Sequence, residues 1–287
     1  MIDDYQAWRA AKLGAIPALD DLLVRLADPG NPTQAERSAL LERCRRFNMA
    51  VYCGPDRPLD KAELRALAAA LGLVSLDPNQ LADDDGISAL AVREHGSGAR
   101  FIPYTNRPIA WHTDGYYNPP DRTVRGLILH CLRPALRGGV NALYDPDRLY
   151  IALRDRDPEW TAALERPDAF TIPAQAEPGL EPRPPQPSPV FTWDEDGHLA
   201  MRYTARTRSI AWSADPAVQR AKAALEAILA GDPPGRLDHR LEAGQGLICN
   251  NVLHTRTGFE DDPAKPRLIW RARYYERVGT NGERKAL

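Results

Sequence analysis

The chain has no apolar run approaching the roughly 20 residues that a membrane-spanning helix needs. Its first residues, MIDDYQAWRAAKLG, carry neither the apolar stretch nor the cleavage site of a secretory signal. A cytoplasmic protein without a membrane partner is expected. Excess charge of one sign is missing too: 37 Lys and Arg stand against 39 Asp and Glu, with no long block of either. That balance excludes the basic footprint of a nucleic-acid binder. Cysteine is scarce, and Cys44, Cys53, Cys131 and Cys249 show no CxxC spacing. This argues against a structural zinc site or a disulfide framework and makes them small core residues. No internal repeat is evident.

Proline, by contrast, is abundant, at 26 of 287 residues, and it favours short strands and loops over a helical bundle. A hydrophobic content of 43% can bury one large core, and residues 1–287 are taken as a single domain. Residues 1–88 read as mainly helical. PTQAERSALLERCRRF has helical apolar spacing with a start at Pro32 and Thr33, Met49 to Cys53 reads as a strand, and KAELRALAAALGL is a helix closed by Gly72. Residues 89–287 turn to β-rich runs, VRGLILHCL, GLICNNVL and RLIWRARYY, interrupted by the helix PAVQRAKAALEAILAG. The segment 176–189, AEPGLEPRPPQPSP, holds seven prolines or glycines in fourteen positions and is expected to be a loop that cannot join a sheet interior, either a lid or disordered. The pattern predicts an α+β chain around an antiparallel barrel or sandwich.

In AWHTDGYY, His112 and Asp114 stand two apart, so an extended backbone projects an imidazole and a carboxylate from one face toward one ion. A third ligand must come from His95, His130, His198, His239 or His254. His254 stands out because it ends the apolar run GLICNNVLH, read here as one strand, and precedes a strand carrying Arg267 and Arg271. Two histidines and one carboxylate leave coordination positions open, which suits iron(II) binding a chelating 2-oxo acid and then dioxygen. The planar fork of Arg267 suits the far carboxylate of such a diacid. Arg271, four positions on, faces the same side in a regular strand.

The motifs WHTDGYY, GLILHCLRPALRGGVNALYD, LEAGQGLICNNVLHTRTGF and PRLIWRARYY follow one another across residues 100–275. In that order they resemble the taurine dioxygenase and clavaminate synthase-like family of iron(II)- and 2-oxoglutarate-dependent oxygenases. The resemblance implies a double-stranded β-helix, a jelly-roll core with flanking helices. It also implies His112, Asp114 and His254 as iron ligands and Arg267 as partner of the distal carboxylate of 2-oxoglutarate. Two departures stand out. Asn141 follows Gly138, Gly139 and Val140 where many members have a threonine touching 2-oxoglutarate, and Thr255 follows His254 where a glycine is common. An amide can still donate a hydrogen bond, so Asn141 keeps that role as an expectation.

The implied reaction consumes 2-oxoglutarate and dioxygen and hydroxylates an unactivated C–H bond of a small metabolite. The same machinery can instead desaturate or close a ring, and a non-enzymatic ligand-binding jelly roll or a zinc hydrolase are the rival classes. Tyr104, Asn106, Arg107, Tyr116 and Tyr117 flank the HxD strand and are candidates for the substrate side. His130, Trp111 and Trp270 read as core residues. Arg271 is expected to bind an anionic group of the substrate, a carboxylate or sulfonate, as the corresponding arginine does in taurine dioxygenase. A homo-oligomer is compatible with these residues.

Overall fold

Strand Gly126–Arg133 is apolar on both alternating sets of its residues, and its surroundings explain why. In the computed structural model, which describes residues 4–78, 85–95, 99, 101–176 and 182–279, it lies inside a six-stranded sheet. The strand order is Leu23–Arg25, Met49–Cys53, Gln245–Cys249, Gly126–Arg133, Leu268–Tyr274, Ser88–Leu90. The register places Leu247, Leu129 and Arg271 side by side on one face and Gly246, His130 and Trp270 on the other.

The outer face, with Ala50, Tyr52, Ile128, Ile248, Ala272 and Tyr274, packs against helices Gln34–Phe47 and Lys61–Ala70 through Leu40, Cys44, Leu64 and Leu67. Both helices start on capping boxes, Thr33 with Glu36 and Asp60 with Glu63. The inner face, with Val51, Leu127, Leu129, Cys131, Leu247 and Ile269, shares a core with Leu143 and Leu241. Leu143 belongs to a four-stranded sheet ordered Leu237–His239, Asn141–Tyr144, Leu253–Arg256, Ile109–His112. Helices Pro146–Arg154, Pro158–Leu164 and Pro216–Ala230 cover a further apolar cluster built on Phe170, Phe191, Tyr203 and Leu253.

Within 1–88 the expected strand Met49–Cys53 is present, and Leu23–Arg25, parallel to it, and Ser88–Leu90 join the same sheet. Two expectations need correcting, and two helices were missed. GLICNNVLH is two strands rather than one: Gln245–Cys249 belongs to the large sheet and Leu253–Arg256 to the small one. The break falls at Asn251, whose φ of 47° is a left-handed conformation that asparagine tolerates better than most residues. Part of 176–189 is strand, because Gln186–Ser188 pairs with Phe170–Ile172. Pro187 is accommodated because that strand is at the sheet's edge, and 177–181 lie outside the described residues. Helices Pro146–Arg154 and Pro158–Leu164 were not anticipated. Each opens on Asp-Pro, which reads as a turn in sequence but supplies a capping carboxylate and a proline at the first helical position.

Candidate metal centre

Strand Ile109–His112 runs antiparallel to Leu253–Arg256, and the register sets His112 directly opposite His254. Side chains opposite each other in such a pair share a face, and the two imidazole centroids are 4.1 Å apart. The far edge of Ile109–His112 is covered by residues 203–205. Thr113 and Tyr203 exchange backbone and hydroxyl bonds, Thr204 bridges His112, and Ala205 N donates to the Trp111 carbonyl at 2.8 Å. Just beyond the strand, Asp114 brings Oδ1 to 3.6 Å from His112 Nε2. The chain turns away at once through Gly115, where φ is +66° and a Cβ would stand 2.5 Å from Val124 Cγ2.

His112 Nδ1 lies 3.0 Å from the Ala110 carbonyl and His254 Nδ1 lies 2.9 Å from that of Val252. A carbonyl can only accept, so each Nδ1 carries the proton and each Nε2 presents a lone pair. Burial, and then the neighbouring His112, lower the His254 pKa to about 4, which keeps the ring neutral. Burial pushes the Asp114 carboxyl up, but the Arg271 guanidinium, His112 and His254 outweigh it and hold the group well below the usual range. Asp114 Oδ2 is buried without a hydrogen-bond partner among the described residues. Arg271 Nη1 is 3.3 Å from it, without hydrogen-bonding alignment. Donor atoms of His112, Asp114 and His254 all fall within 4.8 Å of one another. A buried, ionised carboxylate beside two neutral imidazoles fits a divalent cation of the iron(II) kind.

Residues the sequence did not single out hold the chain around this carboxylate. The Asn251 side chain accepts from Asp114 N at 2.8 Å and donates to the carbonyls of Asp114 and Val124 at 2.9 and 2.8 Å, acting as a strand neighbour would. Arg273, two residues past Arg271, pairs with Asp77 and donates to the Tyr117 hydroxyl at 2.9 Å. Arg256 donates to the carbonyls of Pro103, Thr105 and Arg107 and so fixes the turn before the HxD strand. For Arg273 the alternation of strand Leu268–Tyr274 was an available signal. For Asn251 and Arg256 there was none.

Arg267 is buried with its guanidinium 5.1 Å from the Phe259 ring, and it makes no ion pair among the described residues. It precedes strand Leu268–Tyr274, and a register shift separates Leu268 from Ile269, so the regular-strand argument that aligned it with Arg271 does not apply. Burial lowers its pKa. Asn141 spends one amide N–H on the Thr255 carbonyl at 2.7 Å. Tyr104 is buried in the inner core beneath Arg93, Asn106 and Arg107 are exposed, and Tyr116 and Tyr117 are half-buried in edge-to-face contact. His130 is a core residue of the outer face, bonded to the Tyr52 hydroxyl. Of the remaining histidines, His198 and His239 lie apart from His112, bonded to Asp194 and Gln245.

The family model described as Taurine catabolism dioxygenase TauD, TfdA family, matches residues 22–273. The chain belongs to this dioxygenase family. A uridine-5'-phosphate dioxygenase from Streptomyces sp is 33% identical over 242 residues, covering 81% of this chain and 87% of that protein. Among solved structures, the non-heme iron oxygenase OrfP with Fe and alpha-ketoglutaric acid superposes with a TM-score of 0.60 at 16% identity, covering 88% of this chain and 86% of that one. Asparagine oxygenase with Fe(II) and succinate gives 0.58 at 16% identity, covering 96% and 85%. These two establish the fold. This family member is a dioxygenase that uses iron(II), 2-oxoglutarate and dioxygen, as the resemblance implied. None of the helices among its described residues is long and apolar enough to cross a membrane.

Proposed function

We propose that the enzyme hydroxylates a C–H bond of a small phosphorylated metabolite, of the nucleoside 5'-monophosphate class, within a double-stranded β-helix formed by the two facing sheets. One observation carries the chemistry: donor atoms of His112, Asp114 and His254 lie within 4.8 Å of one another, where they can hold iron(II). The relative acting on uridine 5'-phosphate supports the substrate class, in place of the carboxylate or sulfonate expected from sequence. We take residues 1–287 as one oxygenase domain, since Met49–Cys53 pairs with Gln245–Cys249.

Bound iron(II), with 2-oxoglutarate and dioxygen, supplies the oxidising power to remove a hydrogen atom from an unactivated carbon. The chain's own part is placement. Arg267, buried and without a carboxylate partner among the described residues, pairs with the distal carboxylate of 2-oxoglutarate, an arrangement in which a planar fork makes two parallel bonds. Asn141 is tied to Thr255 and orients the strand beside His254. Arg271 holds Asp114 ionised and aimed. Tyr116 and Tyr117 line the substrate side, with Tyr117 steadied by Arg273. The test is succinate formation from 2-oxoglutarate under air, with iron(II) and a panel of nucleotides, nucleosides, carboxylates and sulfonates. Stimulation by a nucleoside monophosphate is expected. Stimulation confined to carboxylates or sulfonates would overturn the substrate class and leave the iron chemistry standing.

A further inference from the structure

Most arginines around the centre are already committed. Arg271 faces Asp114 and Arg273 is held by Asp77 and Tyr117. Arg202 spends its guanidinium on the Tyr116 carbonyl, Ser188 and Gln186, and Arg183 donates to the carbonyls of Tyr117 and Pro173. Three others differ. Arg107 ends the turn that leads into strand Ile109–His112, and Arg206 and Arg208 lie on the segment that pairs along the same strand's other edge. Thr204 is opposite His112 and Ala205 N bonds the Trp111 carbonyl, so Arg206 follows directly on the paired residues and Arg208 lies in the turn just after it. A tight turn, Ser209 N to the Arg206 carbonyl at 2.9 Å, holds the segment there.

Neither Arg107, Arg206 nor Arg208 makes an ion pair with a carboxylate among the described residues. Like charges brought together without a counter-ion destabilise one another. Burial lowers the Arg206 pKa, and the Arg208 and Arg107 guanidiniums lower it further. Arg107 and Arg208 are exposed and Arg206 is half-buried, so this edge of the HxD strand presents a cationic rim to solvent, open to a ligand that brings the missing charge.

We propose that Arg107, Arg206 and Arg208 form the subsite for the phosphate of the substrate. The subsite rests on the nucleoside monophosphate reading above and moves the anion contact from Arg271 to the rim. A phosphate dianion offers three acceptor oxygens, and guanidinium forks meet them in bidentate pairs. The spacing suits such a substrate. Arg206 is two residues beyond Thr204, roughly 7 Å along an extended backbone, so a phosphate held there sets the attached sugar carbons toward His112 and Asp114.

The test compares uridine 5'-monophosphate with uridine on the wild type, on Arg206→Gln/Arg208→Gln, and on Arg220→Gln, an exposed control on helix Pro216–Ala230. 2-Oxoglutarate binding is followed separately by anaerobic titration of the iron chelate's absorption. The double variant is expected to raise KM for the nucleotide by at least about tenfold, the loss of roughly 1.4 kcal/mol, toward the value for uridine. Its affinity for 2-oxoglutarate should stay within about twofold, while Arg220→Gln should match the wild type. An unchanged nucleotide KM overturns the subsite and leaves the substrate reading intact. A wild type that ignores every nucleoside monophosphate overturns that reading and the subsite with it. If the double variant also loses 2-oxoglutarate binding, the single Arg208→Gln, at an exposed position, decides by the same KM comparison.

Discussion

The two faces of the six-stranded sheet are built from alternate residues of the same strands, and they do opposite work. On the outer face Trp270, Ala272 and Tyr274 pack under the helices. On the inner face Arg271 and Arg273, their immediate neighbours in strand Leu268–Tyr274, serve Asp114 and Tyr117. Buried histidines sharpen the contrast. His130 on the outer face and His254 at the centre are both lowered to about 4, each chiefly by burial. Depressed basicity therefore does not distinguish the two. The company of their ring nitrogens does. His130 Nδ1 meets the Tyr52 hydroxyl at 2.9 Å with the two rings stacked. The His254 ring shares its surroundings with a second imidazole and the Asp114 carboxylate.

If this division is real, substitutions on the two faces should fail in different ways. The largest effect is expected at the centre: His112→Ala, Asp114→Ala and His254→Ala each reduce iron-dependent succinate formation to background while the far-ultraviolet circular dichroism remains native. Near wild-type turnover in any two of them would break the assignment of the centre. On the outer face, Tyr274→Ala should cost about 3–5 kcal/mol in urea unfolding, since it leaves a large cavity. The fraction that stays folded should still bind iron and 2-oxoglutarate.

Arg267→Leu comes next. A buried carboxylate that loses its paired guanidinium weakens binding by about 3 kcal/mol, on the order of a hundredfold in the 2-oxoglutarate midpoint. Stability should change far less, and an unchanged midpoint would mean that Arg267 serves something else.

The smallest effect is a slope. A histidine whose pKa is about 4 when folded and near 6.5 when unfolded takes up its proton only on unfolding between those values. Its contribution to stability is full above pH 6.5, falls as pH drops toward 4, and levels off below. His130 and His254 both act this way in the metal-free protein. His130→Gln should reduce the pH dependence of unfolding free energy near pH 5 by about one proton, or roughly 1.4 kcal/mol per pH unit, without moving iron affinity at pH 7. An unaltered slope would show that His130 is protonated in the fold.

How far the sequence disclosed all this depends on the range of the interaction. His112 and Asp114 were legible because their relation spans two residues of one strand, and His254 because it precedes the arginine-bearing strand. The helices capped by Thr33 and Asp60 announced themselves through local periodicity. Asn251 was invisible, since its bonds to Asp114 cross 137 positions of chain and asparagine in a loop has many ordinary uses. The handover between sheets was hidden for a related reason: GLICNNVLH stays apolar on both sides of the left-handed residue, so hydrophobicity runs straight through a corner. Arg107 was legible as a rim residue, but its convergence with Arg206 and Arg208 depends on strand pairing between distant segments.

That corner has a mechanical meaning. Asn251 sits where the chain leaves one sheet for the other, and its side chain is also what clasps the backbone of Asp114. One side chain thus ties the place of the carboxylate to the seam between the two sheets, so Asn251→Ala should loosen both together. Faster loss of bound metal to a chelator, alongside lowered stability, would report it.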